Sequence, residues 1–335
     1  MADADTLIDE IETLGEKLTQ ARDSITRRFI GQRPVVDLVL SALLCGGHGL
    51  LIGLPGLGKT RLVDTLSTVM GLDGGRVQFT PDLMPADILG SEVLETASDG
   101  TRSFRFLQGP VFCQLLMADE INRASPRTQS ALLQAMQEKS VTIAGKPHRL
   151  GVPFHVLATQ NPIEQEGTYP LPEAQLDRFL VQIDVPYPDR DTERNILLAT
   201  TGVSEDESVS VFSAAELLAA QTLLRRMPVG DKIVETILDL VRACRPGDLA
   251  APAVVNQSVG WGPGPRAAQA LMLTVRARAL LDGRLAPSID DVAAMAMPVL
   301  SHRMALTFAA RARGENLSNV IGTVVGNVTR IEAAA

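Results

Sequence analysis

The feature that most constrains this chain is one segment, Gly53-Leu54-Pro55-Gly56-Leu57-Gly58-Lys59-Thr60, followed by Arg61. It matches G-x-x-x-x-G-K-[ST] at every fixed position. It also stands in the context such a loop requires, after a short apolar run over residues 49–52 and before helical spacing over 59–70. The glycines let the backbone wrap around a phosphate so that N–H groups point inward, and the helix N-terminus adds partial positive charge. In that role Lys59 bridges the β- and γ-phosphates and Thr60 holds Mg²⁺ through its hydroxyl. Gly53, Pro55, Gly56, Leu57, Gly58 and Arg61 complete the expected phosphate-binding set around a nucleoside triphosphate, ATP.

A loop of this kind needs a parallel sheet behind it, and the rest of the chain carries the pattern. Short apolar strands are predicted at 49–52, 76–79, 114–118, 154–159 and 180–185, with helices at 59–70 and 126–137 between them. Near-continuous apolar strands alternating with helices indicate an α/β fold whose parallel sheet is covered on both faces. Two segments break the alternation. Residues 91–107 around Ser98-Asp99-Gly100, and 141–150 around Gly145-Lys146-Pro147, read as inserted β-hairpins. Upstream, apolar positions at helical spacing over 5–28 and Pro34 at the start of a run to about Cys45 predict two further helices.

After Pro186-Tyr187-Pro188 the composition changes, and helical spacing dominates over 192–200, 214–226, 232–244, 266–281 and 289–300. The expected organisation is an α/β core over residues 1–187 and an all-α lid over 188–335. Residues 250–265, rich in Pro and Gly, read as a loop. At 335 residues and 45% hydrophobic content, two folded domains fit comfortably; with only 4% aromatics, the core must be built from aliphatic side chains.

Composition also narrows the partners. The net charge of −8 argues against a general nucleic-acid or membrane-surface binder. Residues 38–58 lack any charged side chain, but Gly46-Gly47-His48-Gly49 interrupts them, so a buried helix followed by a buried strand is expected, not a membrane span. The N-terminus, Met1-Ala2-Asp3-Ala4-Asp5, is acidic and does not read as a signal peptide; a cytoplasmic location is expected. Cys45, Cys113 and Cys244 are too widely spaced for a disulfide framework or a metal knuckle, and the four histidines show no ligand spacing. No structural metal is expected.

Two further segments carry chemistry. Leu115-Leu116-Met117-Ala118 ends in Asp119-Glu120, two carboxylates at the C-terminal tip of a buried strand, where open α/β sheets bind ligands. Alone, such a pair is equally an acidic strand end facing solvent. Beside an intact phosphate loop, Asp119 is expected to reach Mg²⁺ through water and Glu120 to orient or deprotonate the attacking water, which favours hydrolysis. Asn161, in Ala158-Thr159-Gln160-Asn161-Pro162, either contacts the γ-phosphate or its water, or simply forms a turn before proline; the residues leave both readings open.

These elements together resemble an AAA+ ATPase, and the detail resembles the MoxR family. The likeness lies in Phe79 to Ile88, Asp119 to Ala124, Gln129 to Met136, and the long run from Ala158 through Gly167-Thr168-Tyr169-Pro170 to Phe179. The resemblance implies that Phe29-Ile30-Gly31-Gln32 lies near adenine and that Asn161 senses γ-phosphate. It implies that Arg178 is an arginine finger acting on a neighbouring subunit's ATP, and that Arg266 is a lid arginine touching γ-phosphate in its own subunit. Always charged and fork-shaped, a guanidinium suits both roles. The resemblance further implies a homo-oligomeric ring, a hexamer, acting as a chaperone in cofactor or metal insertion, with a client protein and a partner bearing a von Willebrand factor A domain. Trp261 departs from the small or aliphatic residue usual before the lid motif, and residues 316–335 match no assigned element. Other readings stay open: a nucleic-acid-directed motor, the motor subunit of a metal chelatase, or a scaffold that binds ATP without turning it over.

Overall fold

The computed structural model describes residues 2–96, 98, 101–164, 167–201 and 208–334. In chain order its strands are β1 (Gly49–Gly53), β2 (Gly74–Gln78), β3 (Gly90–Thr96), β4 (Arg102–Gln108), β5 (Leu115–Asp119), β6 (Ser140–Ile143), β7 (Lys146–Arg149), β8 (His155–Gln160), β9 (Val181–Val185), β10 (Val259–Trp261) and β11 (Ala305–Leu306). Five of them form one parallel sheet in the order β2-β5-β8-β1-β9.

The sheet forms because its central strands, β5, β8 and β1, are apolar on both faces. Neighbouring residues in a strand point to opposite sides. Leu51, Leu115, Met117, Leu157 and Ile183 enter one core with the helices Arg33–Leu44 and Lys59–Val69. Leu50, Leu116, Ala118, Val156 and Ala158 enter a second core on the other face, against the helix Pro126–Glu138. Parallel pairing places the C-terminal tips of β1, β8 and β5 side by side at one edge of the sheet. Two strand spacings separate the first from the last, roughly 10 Å.

Both hairpins are present. β3 and β4 pair antiparallel from Gly90–Gln108 to Thr96–Arg102; of the expected turn residues, Asp99 and Gly100 lie outside the described residues. In the second hairpin Ile143 pairs with Lys146, so the turn is Ala144-Gly145, one residue earlier than predicted, and Pro147 sits in β7 opposite Thr142. Ala144 (φ 48°) and Gly145 (φ 79°) are both left-handed, the geometry that matches strand twist in a two-residue hairpin. The hairpins dock on each other through Phe106, whose ring stacks on His148 at a centroid distance of 4.0 Å.

Behind β9 the chain is helical, with Ala214–Arg226, Asp231–Ala243, Pro265–Leu281 and Ile289–Leu300 as the main elements. One expectation is corrected here and one unassigned segment is placed. Residues 250–265 contain a short helix, Ala253–Ser258, and the strand β10, which pairs with β11; six residues are too few for periodicity to reveal. The unassigned tail is the helix Leu317–Ala334, which buries Val320, Ile321 and Val324 against the other lid helices. The segment 38–58 divides into the end of a buried helix, a glycine turn and β1, and no helix among the described residues is long and apolar enough to cross a membrane.

Candidate functional site: a phosphate loop and its carboxylates

The loop after β1 has the shape its glycines allow. A Cβ at Gly53 would stand 2.9 Å from the Val185 carbonyl oxygen, so the strand can pass β9 only with glycine there. Gly56 (φ 82°) and Gly58 (φ 74°) are left-handed, and Gly58 caps the helix Lys59–Val69 with no side-chain hydrogen bond to its first turn. The loop opens on a cavity of about 410 Å³ lined by Pro55 to Arg61 together with Asp119, Glu120, Thr159 and Asn161. Lys59 turns into the loop, donating to the carbonyls of Gly53 (2.5 Å) and Leu54 (2.9 Å). Burial holds its ammonium below the ordinary lysine range, while the charges of Asp119 and Glu120 act the other way.

The two carboxylates are held by residues that sequence reasoning did not single out. The Thr159 hydroxyl donates to Asp119 Oδ1 at 2.6 Å and accepts the Glu120 N–H at 2.9 Å, splinting β8 to the tip of β5. Arg76, on β2, pairs with Asp119 Oδ2 at 2.8 Å. Glu120 is left-handed (φ 54°, ψ 50°), a conformation costing about 1 to 2 kcal/mol for a residue with a side chain. Its Oε2 accepts from Gln78 (2.9 Å) and Arg123 (3.0 Å). A clue was available only with the sheet order in hand: β2 pairs with β5 so that Gln78 faces Asp119. For Asn161 the turn is present, and its place beside the loop leaves the phosphate reading open to it. Its Oδ1 accepts the Ile163 N–H at 3.2 Å in a local turn, and the residue lines the phosphate-loop cavity.

A second cavity of about 560 Å³ adjoins the first and shares Pro55 to Gly58 and Arg61 with it. Phe29, Ile30, Gln32, Tyr187 and Leu197 line it, so three of the four residues of the expected adenine segment border the same cavity as the loop. Gly31 does not line it. Its φ of 76° turns the chain where a Cβ would come within 2.2 Å of Thr192, and that turn sets Ile30 and Gln32.

The two arginines lie elsewhere. Arg178 precedes β9, at the N-terminal edge of the parallel sheet, and Arg266 opens the lid helix Pro265–Leu281. Both line a third cavity of about 310 Å³ with the Gly46-Gly47-His48 turn. Arg178 donates to the Leu133 carbonyl (2.7 Å), and Arg266 stands 3.7 Å from Asp177. The phosphate loop is at the opposite edge, five residues along β1 or roughly 16 Å away. The expectation that Arg266 reaches the γ-phosphate in its own subunit is therefore corrected: lid packing holds it beside Arg178, on the far side of the sheet.

Residues 48–181 match the ATPase family associated with various cellular activities (AAA), and residues 252–321 match the AAA lid domain. Chaperone MoxR1 of Mycobacterium tuberculosis is 39% identical over 325 residues, spanning 97% of this chain and 84% of that protein. The chain belongs to the MoxR family of AAA ATPases. Protein MoxR of Paracoccus denitrificans is 32% identical over 90% of this chain and 92% of its own length. YeaC of Bacillus subtilis, an uncharacterized protein, is 39% identical over 95% of this chain and 96% of its own. A crystal structure from Cytophaga hutchinsonii, described as a candidate ATPase, superposes with a TM-score of 0.89 at 34% identity, covering 97% of this chain and 98% of that one.

Membership of this family implies nucleotide binding, and the donor set at the loop can be tested against Mg²⁺. Among the described residues no group of three or more His, Cys, Asp or Glu side chains could hold a metal unaided. Mg²⁺ seldom uses such a cage; it keeps several waters and takes one or two protein ligands beside substrate phosphates. The Thr60 hydroxyl and the Asp119 carboxylate, opening on one cavity, fit that demand.

Proposed function

We propose that this MoxR-family chain hydrolyses ATP in a ring, each nucleotide lying between the phosphate loop of one subunit and the arginines of the next. The observation that carries the reading is the division of the site. Lys59, Thr60, Asp119, Glu120 and Asn161 share one cavity, while Arg178 and Arg266 share another at the opposite edge of the sheet. A finger so placed is useful only to a neighbour.

In this reading adenine enters the cavity of Ile30 and Gln32, with Gly31 shaping the turn. Gly53 to Thr60 and Arg61 surround the phosphates, and Lys59 exchanges the Gly53 and Leu54 carbonyls for β- and γ-phosphate oxygens. Thr60 and Asp119 would hold Mg²⁺, which would supply charge neutralisation at those oxygens. Glu120 takes the proton of the attacking water, and Asn161 holds that water in line. The neighbour's Arg178 meets the charge that grows on the transferring phosphoryl group, and the neighbour's Arg266 joins it from the lid. Hydrolysis then removes a contact that ties lid to neighbour, which shifts the angle between subunits and moves the paired hairpins. The α/β core to residue 187 and the lid beyond it are the two bodies that shift.

The work this motion does is a chaperone's: remodelling a client protein during cofactor or metal insertion, in the cytoplasm, beside a partner with a von Willebrand factor A domain. The relative named Chaperone MoxR1 supports the chaperone part of that reading. ATP turnover tests the chemistry. Lys59→Ala is expected to abolish nucleotide binding and turnover together. Glu120→Gln is expected to keep ATP binding while phosphate release falls by about 10²-fold or more. Wild-type turnover in Glu120→Gln would remove Glu120 from the mechanism.

A further inference from the structure

The cavity of Arg178 and Arg266 is lined by two more arginines, Arg225 and Arg303, and by a single carboxylate, Asp177. Arg303 is committed. Only 3% of its side chain is exposed; its Nε donates to Asp177 Oδ1 at 2.7 Å, and its other nitrogens donate to the carbonyls of Phe179 and Val299, each at 2.7 Å. It fastens the segment bearing Arg178 to the lid and has no capacity left for a ligand. Asp177 is thereby spent as well, on Arg303 and, at 3.7 Å, on Arg266.

Arg225 differs. It lies in the last turn of the helix Ala214–Arg226 and is exposed. Its neighbour Arg226 pairs with Glu10 at 3.0 Å, but Arg225 has no hydrogen bond or ion pair among the described residues. Its charge is felt by another cation: Arg276, whose Nε is buried without a partner, is pushed below the ordinary arginine range by burial and then by Arg225. Position near a helix C-terminus accounts for some of its placement, but not for an unpaired guanidinium lining the same cavity as Arg178 and Arg266, where the one carboxylate is already engaged. Such an arrangement is unfavourable until a negative charge enters.

We infer that Arg225 is a third arginine of the between-subunit site, donating to phosphate of the nucleotide held by the neighbouring phosphate loop. The inference rests on the ring reading above. Its ligand chemistry is a multiply charged phosphate. The neighbour's ATP is one source, and a free inorganic polyphosphate would be the other.

The test uses full-length Arg225→Ala and Arg225→Lys, with ATP turnover and thermal unfolding measured at concentrations where the wild type turns over. Arg225→Ala is expected to lose about tenfold to a hundredfold in turnover, as for one charge-assisted hydrogen bond, with an unchanged melting temperature and partial recovery in Arg225→Lys. Mixing Arg225→Ala with Lys59→Ala should then raise turnover above the sum of the two alone, because an intact phosphate loop meets an intact Arg225 across some interfaces. A structural defect would lower the melting temperature and would not be rescued by mixing. Arg178→Ala mixed with Lys59→Ala is the control. If that pair recovers and the Arg225 pair does not, Arg225 is no part of the site and the ring reading stands. If neither recovers, the ring reading fails and takes this inference with it. Inorganic triphosphate binding to Lys59→Ala by calorimetry separates the sources. Binding that is lost in Lys59→Ala/Arg225→Ala, with wild-type turnover in Arg225→Ala, would assign Arg225 to a free anion and overturn the nucleotide contact.

Discussion

The two edges of the central sheet are built on opposite principles. At the edge of the phosphate loop every ionised group has partners within the chain. Lys59 rests on two carbonyls, Asp119 on Thr159 and Arg76, Glu120 on Gln78 and Arg123. At the other edge four arginines line a cavity that offers one carboxylate. The charges of the first edge are balanced within the chain; the second carries positive charge in excess of its one carboxylate. Under the proposed ring, the two edges are complementary half-sites, each finished by another copy.

Removing the unbalanced side should have the largest effect. Arg178→Ala is expected to lower turnover about 10³-fold or more, as for arginine fingers generally, while ATP affinity changes little because the phosphate loop is untouched. Equal losses in affinity and turnover would mean that Arg178 shapes its own subunit's site. A smaller effect is expected from the compensated side. Thr159→Val removes both the donor to Asp119 and the acceptor for the Glu120 N–H, and should cost about 1 to 3 kcal/mol of stability with roughly tenfold in turnover. Thermal unfolding and steady-state kinetics read both; unchanged values would show that the splint is dispensable.

The weakest effect is one of pH, and it concerns the arginine edge alone. His48, His155 and His302 all lie there, at the starts of β1 and β8 and against the Phe179 carbonyl. Burial pushes them down, His48 and His302 to about 3 and His155 to about 4. Above the ordinary value near 6.5 they are neutral whether folded or not. As pH falls below that value the unfolded chain takes up protons the folded chain refuses, so stability drops, by at most about 1.4 kcal/mol per histidine per pH unit, until the folded values are reached. His155→Gln should flatten the fall in melting temperature between pH 6.5 and pH 5. An acid limb unchanged in that variant would place the sensitivity elsewhere.

The phosphate-loop edge was largely legible in the sequence. The loop pattern is contiguous, and the apolar strand before Asp119 declares both the strand and its tip. What the sequence withheld depends on which strands are neighbours. Thr159, Gln78 and Arg76 became site residues only once β2, β5 and β8 were known to lie side by side. Arg266 was legible as a residue type and misplaced in space, because nothing local states to which edge of the sheet a lid helix docks. Short elements escaped for a different reason: Ala253–Ser258 and the Ala144-Gly145 turn contain too few residues for a period to show. The tail helix stayed unassigned because residues 316–335 match no element of the resemblance.

The central claim is that the two edges meet across a subunit boundary, and the mass of the protein in solution tests it most directly. Glu120→Gln, which should hold ATP without turning it over, would be sedimented with and without ATP and Mg²⁺. The account expects ATP to gather 35.8 kDa chains into a closed assembly, six by resemblance to the family. A protein that binds ATP and remains a single chain at high concentration would leave Arg178 with no nucleotide to serve, and would contradict the claim.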